Sequence, residues 1–439
     1  MFNKILFIPI IPKIKNSKIF IGLKSYILIP FSLAFIFSIP LYLNIFTYYK
    51  TIYFPYINGI FALISIFIFI NINRKYRFFF GFFVGILWFY WISLSFRFTS
   101  SPNILYIVIF FVSVIYGIFF YLLLFFKNKL FRIFSISIAS YISILGFDWF
   151  VPDSILAFSV FRVDKISFCL ITLIIVIISL KSLKIYRFIS LFALILLVDF
   201  KTQEIDLPSK INITQTNINQ SNKWKSLNNV IEYNFSKIQD SIFNGYKVVI
   251  LPETAFPFVL NNQNQIMQKL LKLSNKITII VGSQREDNGR FYNSTYVFED
   301  GKYNFADKVF LAPFGEYMPI PYIFMDIFNK ISGINYNSNF NTNSKMPKDL
   351  ITKNITFRNA ICYEATTKKA YQNNPKYMIA ISNNAWFNPS IEPILQMMLI
   401  KYYARLHNTI VLHSTNGSKS GIISPKTSLE FMVKNYNFL

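Results

Sequence analysis

Hydrophobic positions run almost unbroken through the first two hundred residues, then give way to short apolar runs set between polar ones. About 20 consecutive apolar residues are needed to cross a bilayer as a helix. Seven candidate spans follow one another near 25–47, 53–72, 78–96, 104–126, 130–147, 165–180 and 186–200. The fifth and seventh are the shorter or more polar ones, a deficit that thinning of the bilayer or packing accommodates. Hydropathy collapses at Asp199–Pro208. The pattern therefore predicts a multi-pass membrane domain over 1–200, of about seven helices, and a globular domain over 201–439.

In the second half the periodicity alternates between strand and helix. KINITQTNI (210–218), KVVILPE (247–253), KITIIVGS (276–283), ITFRNAICYE (355–364), YMIAISN (377–383) and TIVLHST (409–415) read as strands. FYNSTYVFE (291–299) alternates as a half-exposed strand, while 223–243, 264–274 and 391–407 read as helices. Strands interleaved with helices imply a layered α/β or α+β sandwich.

Charge adds an orientation. Loops before span one and after spans two, four and six carry Lys4, Lys13, Lys15, Lys18 and Lys24, then Arg74, Lys75 and Arg77, then Lys127, Lys129 and Arg132, then Lys181, Lys184 and Arg187. The intervening loops carry little net charge. By the positive-inside rule the N-terminus is cytoplasmic and, after an odd number of spans, 201–439 lies outside. The N-terminus lacks the small-residue cleavage site of a secretory signal. Ionisable residues are nearly absent from the middle of the spans, which disfavours a channel or pump. The net charge of +24 comes with a chain rich in Lys, Asn and Ile and with a first half that has no soluble surface, so it is no sign of a nucleic-acid partner.

Candidate chemistry sits at the ends of strands, where α/β sheets commonly build sites. Glu253 follows VVILP, Lys308 lies in DKVFLAPFGEY, and Cys362 follows FRNAI. A cysteine attacks acyl carbon as a thiolate and needs a base or a cation to become one. A glutamate can take and return that proton, and a lysine ammonium can stabilise an oxyanion. Together they suffice for acyl transfer. The other cysteine, Cys169, lies in an apolar run and reads as packing. His407 and His413 leave a cysteine–histidine peptidase as a rival. No metal-ligand spacing, phosphate loop or dinucleotide fingerprint occurs, so no cofactor is expected.

LPETAFPF (251–258), KVFLAPFGEYMPI (308–320), ICYE (361–364) and SNNAWFNPS (382–390) resemble, in order and wording, the apolipoprotein N-acyltransferase branch of the nitrilase, or carbon–nitrogen hydrolase, superfamily. TQTNINQSNKW (214–224), GFFVGILWFYW (81–91), Gln396 and STNGSKSG (414–421) extend the resemblance. It implies a membrane bundle followed by a nitrilase-like α-β-β-α sandwich. It implies transfer of an acyl chain from a phospholipid, through a cysteine thioester, to the N-terminal amine of a diacylglyceryl-modified apolipoprotein at the bacterial inner membrane. Glu253 would be the general base, Lys308 the oxyanion stabiliser and Cys362 the nucleophile. Glu316 would be a second essential carboxylate, with Tyr363, Glu364 and Trp224 supporting. The family usually has Asp where Asn384 stands and Gly where Asn388 stands, and it usually continues into one more membrane helix. The alternatives are a membrane-tethered amidase with water as second nucleophile, or an inactive relative. MPIPYIFMDIFNKI (318–331), with Phe324 and Phe328, and the aromatics Phe256, Phe258, Trp386 and Phe387 are expected to line an acyl pocket or meet lipid.

Overall fold

The computed structural model describes residues 18–50, 53–98, 104–180, 184–199, 207–317 and 340–425. The segment containing Phe324 and Phe328 lies outside the described residues. The first half is helical: α1 (Lys18–Lys50), α2 (Pro55–Asn71), α3 (Arg77–Phe89), α4 (Ile104–Leu123), α5 (Lys129–Ala139), α6 (Lys165–Ser179) and α7 (Lys184–Ala193). Among the described residues three stretches, Tyr26–Tyr49, Arg74–Phe98 and Ile104–Leu123, are long and apolar enough to cross a membrane, and Pro55–Asn71, Lys165–Ser179 and Ile185–Leu197 are shorter apolar helices. The fifth helix ends at Ala139, well short of the 147 expected from hydropathy. Leu145 at φ 49° and Gly146 at φ 78° turn the chain there, and Ile144 bridges back to Phe147.

Small residues let α3 and α4 close on each other. A Cβ at Gly81 would lie 2.4 Å from the Phe120 Cβ, and one at Gly85 would lie 2.8 Å from the Tyr116 Cβ. Without a hydrophobic drive between helices in lipid, such close backbone approach is what gains contact. Basic side chains gather at one end of this bundle. Arg132 donates to the carbonyls of Ile70 and Ile72, each at 2.8 Å, and Lys129 reaches Asn71 Oδ1 at 2.6 Å.

The second half builds two six-stranded sheets. One contains β1 (Ile211–Ile213), β3 (Val248–Ile250), β5 (Thr278–Asp287), β6 (Arg290–Glu299) and β7 (Lys302–Asp307) in that order, with β4 (Phe256–Val259) paired to β5. The other runs β12 (Gly421–Ile423), β11 (Ile410–Asn416), β10 (Tyr377–Asn383), β9 (Thr356–Ile361) and β8 (Asp349–Ile351), with β2 (Gln215–Thr216) on β11. Val248, Ile250 and Ile280 from the first sheet meet Ile361, Ile379, Ile381 and Leu412 from the second in one buried apolar layer. Helices α9 (Leu227–Phe243) and α10 (Asn264–Leu273), which follow the short turn α8 (Gln220–Lys223), cover the first sheet through Phe235, Ile238 and Leu270. Helix α11 (Glu392–His407) covers the second. This is the α-β-β-α sandwich. Strand β6 is buried along Tyr292–Phe298 rather than alternating. It lies inside the sheet between β5 and β7, with layers on both faces, so even Asn293, Ser294 and Thr295 are interior.

The domains join through α11. Its buried Arg405 donates to the carbonyls of Leu156, Ala157 and Ser159, each at 3.0 Å, and to that of Phe161 at 2.7 Å. The Arg97 guanidinium reaches Asn388 O at 2.6 Å, and Lys419 N donates to Tyr48 Oη at 2.6 Å.

Candidate active site

Strand β9 ends at Ile361, and the chain turns at Cys362, whose φ of 53° is left-handed. A non-glycine residue held there costs on the order of 1–3 kcal/mol and persists only where its surroundings fix it. Glu364 is the fixing group. Its Oε1 accepts the N–H groups of Val309 (2.6 Å) and Phe310 (3.0 Å), and its Oε2 accepts that of Ile361 (2.8 Å). One buried carboxylate thereby ties the segment after Lys308 to the residue before Cys362. Burial pushes the Glu364 carboxyl up to about 7, against the pull of Lys308 and of the three amides.

Glu253 lies just beyond β3. Asn293 Nδ2 donates to its Oε1 at 2.8 Å, and the Asn383 N–H donates to its Oε2 at 2.8 Å. Lys308, 1% exposed, sits with its Nζ 2.6 Å from Glu316 Oε2 and 4.0 Å from Glu253 Oε1. Ala312 N–H holds Glu316 Oε2 at 2.7 Å, and Asn293 Nδ2 touches Glu316 Oε1 at 3.2 Å. Burial works against the Lys308 ammonium, but Glu316 and Glu253 outweigh it and hold the lysine above its ordinary range.

Cys362 feels both groups. Burial raises the thiol well above its ordinary value, Glu253 raises it further, and Lys308 lowers it. The resting sulfur is therefore a thiol that requires a base. Gln396 Nε2 stands 3.8 Å from Sγ. Asn384 Nδ2 donates to Gln396 Oε1 at 2.8 Å and to Ser418 Oγ at 3.1 Å. The amide at 384 thus orients a donor towards the sulfur.

Tyr363 bonds the carboxylate of Asp148 and stacks on Trp149 at 6.2 Å and 11°. From there the rings continue to Trp91, 5.0 Å from Trp149, and to Phe387, 4.9 Å from Trp91. An aromatic wall runs from the residue beside Cys362 to the membrane helices. Trp386 packs on Phe98 at 5.4 Å in the same junction. Phe256 does not belong to it. It is fully buried against Phe235 beneath α9, as ordinary core.

Trp224 stands 47% exposed after α8, and among the described residues no hydrogen bond or ring contact ties it to the cluster. The residue beside it is buried instead. Lys223, 1% exposed, places its Nζ 2.6 Å from Thr254 Oγ1. The histidines are elsewhere: His413 Nε2 pairs with Ser382 Oγ at 2.8 Å and burial pushes it down to about 3, while His407 Nδ1 pairs with Asn374 at 2.7 Å. Cys169 Sγ lies 3.3 Å from Ser137 Oγ, inside the helical bundle. Among the described residues no group of His, Cys, Asp and Glu could hold a metal ion.

Fold and geometry define a membrane-anchored α-β-β-α protein whose buried lysine and two carboxylates adjoin a cysteine on a strained turn. The sequence model of the apolipoprotein N-acyltransferase integral membrane domain matches residues 24–200. Apolipoprotein N-acyltransferase of Wolinella succinogenes is 36% identical over 395 residues, covering 89% of this chain and 94% of that protein. That of Helicobacter pylori is 40% identical over 405 residues, covering 90% and 95%. The chain belongs to the apolipoprotein N-acyltransferase family, as an acyltransferase of the membrane. Among solved structures, a nitrilase-superfamily amidase from Nesterenkonia AN1 aligns over 52% of this chain and 87% of its own at 12% identity and a TM-score of 0.37.

Proposed function

We propose that the protein transfers a fatty acyl chain from a phospholipid to the N-terminal amine of a diacylglyceryl-modified apolipoprotein, through a thioester on Cys362. The observation that carries the reading is the buried Lys308 held between Glu253 and Glu316 and acting, with Glu253, on the Cys362 thiol. Glu253 takes the thiol proton as Sγ attacks the ester carbonyl. The Lys308 ammonium faces the oxyanion of the tetrahedral intermediate. Collapse breaks the ester C–O bond, and the lysophospholipid alkoxide leaves with the proton from Glu253. The acceptor amine then attacks the thioester and passes its proton to Glu253. The C–S bond breaks and the thiolate is recovered as thiol. The balance closes without cofactor: one ester is lost and one amide gained.

The wall of Tyr363, Trp149, Trp91 and Phe387 gives the acyl chain an apolar route from lipid to sulfur. The distribution of charge supports an orientation. The basic ends of the bundle (Arg74–Arg77, Lys129, Arg132) gather at one side, whereas residues 48, 90–97 and 147–161 meet the second domain at the other. With basic ends cytoplasmic, residues 201–439 form an extracytoplasmic domain on the inner membrane, anchored by residues 1–200. Labelled acyl transfer from phosphatidylethanolamine to a diacylglyceryl lipopeptide in detergent tests the reading. Product is expected from the wild type and none from folded Cys362→Ala. Undiminished product from the variant would contradict it.

A further inference from the structure

Lys308 is one cation set against two carboxylates, Glu253 and Glu316, so the three groups together leave an excess of carboxylate. A second buried ammonium lies at the other flank. Lys223 is 1% exposed at the end of α8, and its Nζ donates to Thr254 Oγ1 at 2.6 Å. Thr254 directly follows Glu253 and is itself held at φ 49°. Asn383 closes the web: its N–H binds Glu253 Oε2, and its Nδ2 reaches Gln220 Oε1 at 3.0 Å and Thr254 Oγ1 at 3.4 Å. A lysine taken out of water at this cost serves as mere packing only if an apolar side chain would do worse.

We infer that Lys223 is a positioning residue of the acyl-transfer site, a second cation moored on Thr254 that offsets the carboxylate excess around Glu253 and makes ionisation of Cys362 accessible. The inference rests on Cys362 as the nucleophile. The charged group acting on Lys223 is Glu253; the groups facing it from the β3–β4 connection, β10 and its own turn are Thr254, Asn383 and Gln220. Burial lowers the lysine to about 8, with Glu253 opposing. Its charge is therefore present at neutral pH and lost as pH rises through that value.

This titration gives the test a signature that a purely structural role lacks. Alkylation of Cys362 by iodoacetamide would be followed from pH 6 to 10 by peptide-resolved mass spectrometry, which reads Cys169 separately. In Lys223→Met the rate is expected to fall about tenfold below pH 8, equivalent to about one pKa unit, and to converge on wild type above it. Lys223→Arg keeps its charge, so it is expected to match wild type at neutral pH and exceed it at pH 9–10. Thr254→Val, which keeps the lysine, is expected to move the convergence to lower pH. A uniform offset at all pH values, or unchanged profiles in Lys223→Met or, if that does not fold, in Thr254→Val, overturns the inference. Because alkylation needs no lipid, failure of phospholipid acylation with these shifts intact would refute the transferase reading while leaving the coupling of Lys223 to Cys362 in place.

Discussion

Lys308→Met is expected to lower the rate of Cys362 acylation by about a hundredfold to a thousandfold, the scale of losing a pre-organised oxyanion donor. It should also destabilise the protein. Glu316 would lose its 2.6 Å partner and Glu253 its 4.0 Å one, leaving two carboxylates buried together. Breaking a buried ion pair by removing one member costs about 3–5 kcal/mol. Part of this is relieved if one carboxylate takes up a proton, since like charges at short range raise each other's proton affinity. The variant should therefore regain stability as pH falls towards 5, opposite to the usual acid response. Single-turnover acylation and thermal inactivation in detergent at pH 5 and pH 8 check both parts. A Lys308→Met protein that acylates Cys362 within tenfold of wild type would remove Lys308 from the mechanism.

Glu364→Gln should have the second largest effect, through position rather than charge. Glu364 accepts three N–H groups, two on Oε1 and one on Oε2. An amide can offer one oxygen to Val309 and Phe310, but its NH2 then confronts the Ile361 N–H. A buried donor facing a donor costs about 1–3 kcal/mol, and the strained turn at Cys362 has lost its anchor. A 1 Å displacement of a reacting group can cost about a hundredfold in rate, and acylation is expected to drop by at least that. The chemical step should slow while lipid affinity stays unchanged, so the measurement is single-turnover rate against phospholipid concentration. Loss in apparent affinity alone would contradict the positioning role.

The membrane half and the interleaving of strands with helices were legible because both rest on hydrophobic periodicity, which survives in a single sequence, whereas the α-β-β-α layer order was implied only by the resemblance. Glu253, Lys308 and Cys362 stand out in the sequence by their place at strand ends and Glu316 by the FGEY wording alone, and the structure gathers the four side chains into one cluster. The partners that define their chemistry were not legible. Asn293 and the Asn383 N–H reach Glu253 across 40 and 130 residues; nothing local distinguishes Asn293, and the SNNAWF run that contains Asn383 does not show which group it serves. Lys223 opens a run that reads as helix (223–243) with nothing local to mark it, and the resemblance singles out its neighbour Trp224 instead. Trp224 stands 47% exposed beside the buried lysine. Phe256 misled in the reverse direction: proximity to Glu253 in sequence suggested the acyl pocket, but alternate residues after a strand point to opposite layers, and its ring fell beneath α9. Arg405, which clamps four carbonyls across the domain junction, gave no sign at all, since a helical arginine is normally solvated.

Intact-mass and peptide analysis of Cys362 after incubation of detergent-purified protein with phosphatidylethanolamine tests the central claim most directly. The account predicts one acyl mass on Cys362, absent in Cys362→Ser, and discharged by a diacylglyceryl lipopeptide amine with formation of the amide. A thioester discharged only by water, or no adduct on a folded protein, would contradict it.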